Sequence, residues 1–247
     1  DQSLINLLKI IFIIKNKKNI ILDLNGSTLT SNSFESAIFI DSDDINNVSS
    51  NIIVKNGNII VYGTSIYVHR TITENELITL RNDPEGYYPQ IQNTAPHHIT
   101  FENISFKNNK GTSIYVWLGS NHVTINNCII DGSRGVGLYL DTASFNNVVT
   151  NSTFKNCGYL NPDGSEKVGR GKREAIAIDG SYNNTIMNNT IINNARGGIH
   201  LYSNCGEKVT TDPTYIPRIF DAEYNSITNN YIFENNESGA IEIGKRV

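Results

Sequence analysis

Three side chains able to handle protons fall at matching places in a recurring phrase: Asp179 in Ala175-Ile-Ala-Ile-Asp, and His200 and Tyr202 in Gly198-Ile-His-Leu-Tyr. A histidine can act as general base or acid near neutral pH. A tyrosine can pass a proton or stack on a sugar ring. Asp179 has a counterpart in Asp141, one phrase earlier. Carboxylates one strand spacing apart, roughly 5 Å, can raise one pKa and supply an acid, or bind Ca2+. The plainer alternatives are two hydrated acids at a turn and an exposed strand imidazole. Just ahead of Asp179 runs Gly169-Arg-Gly-Lys-Arg-Glu174. Arg170, Lys172 and Arg173 could neutralise an acidic sugar, although a charged loop is more often only solvated. Lys172, like His200, could also remove a proton, and Glu174 is either an ion-pair partner of Arg173 or a catalytic acid.

The elements that must position these residues are short strands. The phrase recurs as Ala37-Ile-Phe-Ile-Asp, Thr112-Ser-Ile-Tyr-Val-Trp, Val136-Gly-Leu-Tyr-Leu-Asp and Ala240-Ile-Glu-Ile-Gly. A second phrase alternates with it, as in His122-Val-Thr-Ile-Asn-Asn-Cys-Ile-Ile and Asn184-Thr-Ile-Met-Asn-Asn-Thr-Ile-Ile. Copies starting at 98, 122 and 147 lie 24 and 25 residues apart. Both phrases alternate apolar and polar residues, the pattern of a half-buried strand. A coil of that length cannot bury its apolar edge alone, but stacked coils can. Stacking aligns two outward columns. One reads Phe39, Tyr115, Tyr139, Ala177, His200, Glu242; the next reads Asp41, Trp117, Asp141, Asp179, Tyr202, Gly244. Trp117, Tyr139, Asp141, Arg170 and Glu242 are therefore expected to line a substrate surface, because aromatics and acids mix in one stripe. Asn at equivalent turns is expected to form side-chain ladders. Insertions at 158–174 and 203–223 flank the strands carrying Asp179 and His200, and a third long excursion spans 62–96.

Composition narrows the class. Asn and Ile number 36 each among 247 residues, which disfavours helix and favours strand. A net charge of −4 leaves no basic footprint for nucleic acid. Residues 1–18 read as an N-terminal cap or residual leader, and 19–247 as one repeat domain. Leu4–Ile14 is too short to span a bilayer. The repeat is still running at Val247, so it is expected to continue beyond it. Three cysteines, Cys128, Cys157 and Cys205, form no disulfide framework.

These phrases resemble the right-handed parallel β-helix of the pectin-lyase-like superfamily. The resemblance implies an all-β fold: a single-stranded solenoid of about seven or eight coils with loop insertions. It covers roughly 19–247. Members commonly include polysaccharide lyases, glycoside hydrolases, C5 uronan epimerases and tailspike depolymerases. Ala175-Ile-Ala-Ile-Asp-Gly followed by Asn193-Asn-Ala-Arg-Gly-Gly-Ile-His is similar in outline to alginate-lyase and epimerase-like members. The epimerases' Tyr-Gly-Phe-Asp-Pro-His signature and the hydrolases' paired-Asp and Gly-His-Gly motifs are missing. Calcium-dependent pectate lyases place an Arg among several Asp; Arg173, Asp141 and Asp179 could fill those roles. The resemblance implies a secreted, cell-surface or virion-surface protein that cleaves an acidic polysaccharide by β-elimination. Hydrolysis by Asp179 with Glu174 or Asp141, and a non-catalytic polysaccharide-binding stalk, stay open. Ca2+ at Asp141 and Asp179 is the one candidate cofactor. No nucleic acid and no membrane span are expected, and oligomeric state is left open.

Overall fold

Parallel strands wind into stacked coils in the computed structural model, which describes residues 12–31, 36–161, 163–204, 215–234 and 239–244. Each coil gives one strand to an eight-stranded sheet, called sheet A. Its order is Phe12–Lys15, Ile38–Ser42, Ile66–Arg70, Ile114–Val116, Leu138–Asp141, Ile176–Asp179, Ile199–Tyr202 and Ile241–Ile243. The remainder of each coil forms a twelve-stranded sheet B. Among the described residues there are seven coils and the first strand of an eighth. At about 4.8 Å per strand the stack is roughly 34 Å long.

Apolar residues in register build the interior. Ile38, Ile66, Ile114, Leu138, Ile176 and Ile199 form one column, and Ile40, Val68, Val116, Leu140, Ile178 and Leu201 the next. All are buried, as are Ile125 and Ile186 from sheet B. Ile241, which continues the first column beyond Ile199, is 44% exposed, because no strand lies over it among the described residues.

Asparagine solves the corners. Asn19, Asn51, Asn56, Asn103, Asn127, Asn188 and Asn229 all hold positive φ, a conformation Asn tolerates better than other side-chain-bearing residues. The expected ladders are present. Asn103 donates to Asn56 at 3.0 Å and Asn127 to Asn103 at 2.7 Å. A buried ladder runs from Asn147 to Asn184 at 2.9 Å and from Asn184 to Asn225 at 2.8 Å. Asn184→Ala should cost about 2–3 kcal/mol in urea unfolding, because it strands the Asn147 and Asn225 side chains inside the stack. An unchanged midpoint would remove the ladder from the account.

Two boundaries differ from expectation. The strands Phe12–Lys15 and Lys18–Asp23 already belong to the first coil, so the repeat starts before residue 19; residues 1–11 lie outside the described residues. The excursion at 62–96 is not a loop. It holds the sheet A strand Ile66–Arg70 and two helices, α1 (Glu74–Asn82) and α2 (Pro84–Thr94). A Thr73/Glu76 capping box starts α1, and Pro84 occupies the first turn of α2, where a missing N–H costs nothing. No helix among the described residues is long and apolar enough to cross a membrane. Cys128 and Cys157 are buried free thiols, and Cys205 lies outside the described residues.

Candidate active site on the outer face of sheet A

Alternation on sheet A sends one set of side chains into the coil and the other outward. The outward set includes an aromatic ladder. Phe39, Tyr67, Tyr115 and Tyr139 stand in register, with ring centroids 5.5, 5.0 and 5.0 Å apart and the tyrosines stacked face to face. The ladder stops at Ala177, and His200 and Glu242 take the next two rungs. Arg173 leans over the Tyr139 ring beside that gap, at 5.9 Å from its centroid.

Carboxylates and phenols on the same face form a connected network. Arg218 reaches Asp141 Oδ1 at 2.6 Å and Asp179 Oδ2 at 3.0 Å with one nitrogen. Asp141 also accepts from the Tyr115 hydroxyl and from Thr142. Asp179 accepts from Tyr139 at 2.7 Å and from the Asn204 backbone at 2.8 Å. Tyr202 contacts Tyr139 and donates to Glu174 at 3.2 Å. Glu174 in turn accepts from Arg173 at 3.2 and 3.3 Å. Burial, and then the neighbouring Asp141, push the Asp179 pKa up. Burial would raise Glu174 too, but Arg173 outweighs it and the net direction is down. Burial drives both Tyr139 and Tyr202 well above the usual phenol value, so both keep their protons. His200 Nε2 is buried with no hydrogen-bond partner, and its closest acid, Glu242, is 3.5 Å away.

The segment 215–220 and the two helices wall this face on the side where strands leave sheet A. Tyr88 of α2 bonds the Pro217 carbonyl, Arg81 of α1 bonds the Tyr215 carbonyl at 2.9 Å, and Phe220 stacks on Tyr182 at 5.2 Å. Through Arg218 this wall closes over Asp141 and Asp179, which are 1% and 0% exposed; Glu174 and His200 are 2% and 4% exposed, so the stripe is outside the coil yet covered. The Arg173 side chain, by contrast, is 35% exposed.

The expected site residues separate into groups. Arg173, Glu174, Asp179, Tyr139, Asp141 and Tyr202 join in the one network, and His200 lies on the adjoining rung. Lys172 is half-buried on the rim. Trp117 is in a different place: it stacks on His69 at 4.7 Å and packs with the helices. Glu242 is half-exposed at the end of the sheet. The Arg170 side chain lies outside the described residues. The carboxylates considered for Ca2+ are instead bridged by Arg218, whose guanidinium takes the place between them. No group of three or more metal-ligating side chains assembles among the described residues. Arg218, Tyr67 and His69 were not anticipated. Ile66-Tyr-Val-His-Arg copies the sheet A phrase and could have been found by it, whereas Arg218 sits in an insertion with no periodicity. A separate shallow concavity of about 420 Å³ lies on sheet B around Gly57 and Asn103 and carries no ionisable lining residue.

Comparison with known proteins follows this geometry. A family model described as a right handed beta helix region matches residues 36–214. No curated protein matches the chain. Among solved structures, the Agl-KA catalytic domain is 12% identical with a TM-score of 0.30, over 90% of this chain and 53% of that one. The Dettilon tailspike protein is 12% identical with a TM-score of 0.23, over 77% and 44%. The Yersinia enterocolitica family 28 exopolygalacturonase is 12% identical with a TM-score of 0.25, over 94% and 62%. The chain thus spans about half the length of the structures it matches.

Proposed function

This chain belongs to the right-handed β-helix family, and on that footing we propose that the outer face of sheet A binds an acidic polysaccharide and cleaves it by β-elimination. The observation that carries this reading is the division of exposure. The carboxylates sit at the back of the network, hydrogen-bonded to Arg218, Arg173 and tyrosines. Its front is the Arg173 guanidinium and the two half-buried, protonated phenols of Tyr139 and Tyr202, and His200 Nε2, unpartnered but in a residue only 4% exposed, lies behind them. A glycosidase acid must touch the glycosidic oxygen, and carboxylates in such positions do not. A lyase needs the other set. Arg173 pairs with the uronate carboxylate and so acidifies the C5 proton. His200 Nε2 takes that proton, the electron pair forms the C4–C5 double bond, and the C4–O bond breaks. Tyr202 gives its proton to the leaving oxygen. Glu174 orients Arg173, and Tyr139 supports Tyr202. A polymeric substrate of this kind places the protein outside the cell, or on a cell or virion surface.

Arg173→Ala and His200→Ala should each lower turnover about 10²-fold or more on a cleaved polyuronate, and Arg173→Ala should also melt below wild type because it leaves buried Glu174 without its cation, so turnover is compared where both variants are folded. Tyr202→Phe should do the same, while Asp141→Asn should act mainly through stability. If Asp141→Asn abolishes turnover in a protein that stays folded and Arg173→Ala does not, hydrolysis by carboxylates replaces elimination.

A further inference from the structure

The corner where the chain enters sheet B recurs on successive coils. The register places Asn19, Asn51, His98, His122, Asn146 and Asn183 there in turn. All six hold positive φ, from 51° to 59°. Asn51 donates to Asn19 at 3.2 Å, so the column begins as another amide ladder. Two consecutive coils then carry His in place of Asn. The backbone does not require the change, because Asn suits the left-handed conformation and would continue the ladder.

The two rings meet. His98 and His122 are exposed and stack with centroids 4.7 Å apart and planes 6° from parallel. His97, half-buried, lies edge-on to His98 at 5.2 Å. Three of the chain's five histidines are thus gathered at one corner. The charges that act on His122 are the other two imidazoles, with no carboxylate among them. Its tautomer is fixed by a neighbour. Asn121 donates its amide N–H groups to the Gly119 and Gln92 carbonyls at 2.9 and 3.3 Å. The Asn121 oxygen therefore faces His122 and accepts from Nδ1 at 2.6 Å, which leaves the lone pair on Nε2. Burial, and then His98 and His97, lower the His122 pKa, so the ring is neutral at pH 7. A neutral imidazole whose Nδ1–H is held by an oxygen is oriented as metal-ligating histidines are.

We propose that His98 and His122 form a two-imidazole site for a divalent transition-metal ion of the Zn2+, Cu2+ or Ni2+ kind. Imidazole nitrogen suits these ions, whereas Ca2+ and Mg2+ need a set of oxygens. No group of three or more ligating side chains forms among the described residues, so water completes the coordination. Two bonds of about 2.1 Å at a tetrahedral angle put the nitrogens about 3.4 Å apart. Rings stacked at 4.7 Å reach that spacing by tilting toward each other, and the exposed corner leaves room for it. The ion clasps two neighbouring coils and stabilises the stack by linkage. It takes no part in the proposed elimination.

Calorimetric titration with ZnCl2, NiCl2 and CaCl2 tests this on the metal-free wild type, on His98→Asn, on His122→Asn and on the double variant. Asn is the residue that the flanking coils carry at this corner, so the substitutions suit the backbone. Wild type should take up one Zn2+ or Ni2+ per chain and no Ca2+. Each single substitution should weaken that binding about tenfold or more, and the double variant should lose it. Zn2+ should raise the melting midpoint of wild type and leave that of the double variant unchanged. Nitrogen NMR of the histidine rings needs no variant: Zn2+ should move His122 Nε2 and the His98 ring, and leave His69 and His200 in place. No uptake below millimolar Zn2+, equal Zn2+ binding by wild type and double variant, or ring signals that move only at other histidines would each overturn the site.

Discussion

Arg218→Ala should cost about 3–5 kcal/mol of stability at neutral pH, because it leaves Asp141 and Asp179 buried side by side without their cation. Tyr115, Tyr139 and Asn204 would still donate hydrogen bonds, but they bring no positive charge. The loss should depend on pH with a definite sign. The Asp179 pKa is already raised in the folded protein by burial and by Asp141. A carboxyl with a raised folded value favours folding while it is protonated, and that contribution disappears as pH rises through the folded value. Removing Arg218 raises it further. The deficit of Arg218→Ala should therefore be largest at neutral pH and shrink toward about pH 4, the ordinary Asp range. Adding Asp141→Asn should recover part of it at neutral pH. Urea midpoints for the three proteins at both pH values check this. A deficit independent of pH would mean that Arg218 acts by packing alone.

Ile178→Asp should be more damaging, at about 4 kcal/mol or more. Ile178 is completely buried, with Leu140 and Leu201 as its partners on the neighbouring coils. A carboxylate there has no cation and no donor. Ile241→Asp is the matched control, since that residue is 44% exposed, and it should cost roughly 0.5 kcal/mol. Equal costs at the two positions would contradict the inside–outside assignment of sheet A.

Much of this was visible in the sequence because a solenoid writes its geometry as a period. Every residue in the Tyr115, Tyr139, Ala177, His200 column was placed by alternation alone, and the register confirms the column. Asn at the corners was visible for the same reason. What escaped was whatever departs from the period. Arg218 lies in an insertion, and a salt bridge between residues 77 positions apart leaves no local trace. The helices were signalled by Thr73-Glu-Asn-Glu76 and Pro84, but capping chemistry is a local signal and the Asn/Ile excess of the whole chain outweighs it. Exposure was misjudged because alternation says which side of a strand a residue faces, not what packs over it. Tyr139 shows a further limit. Its ring faces are taken up by Tyr115 on one side and approached by Arg173 on the other, so its hydroxyl matters more than a sugar-stacking surface.

The most direct test of the central claim is the chemistry of the product. Purified protein is incubated with a panel of polyuronates and neutral glycans, and new chain ends are followed by the ultraviolet absorbance of unsaturated uronyl groups alongside a reducing-end assay. Elimination predicts both signals rising together on an acidic polymer, and neither on neutral glycans. Reducing ends without the unsaturated chromophore would contradict it and assign the cleavage to hydrolysis; binding without either signal would make the face a recognition surface.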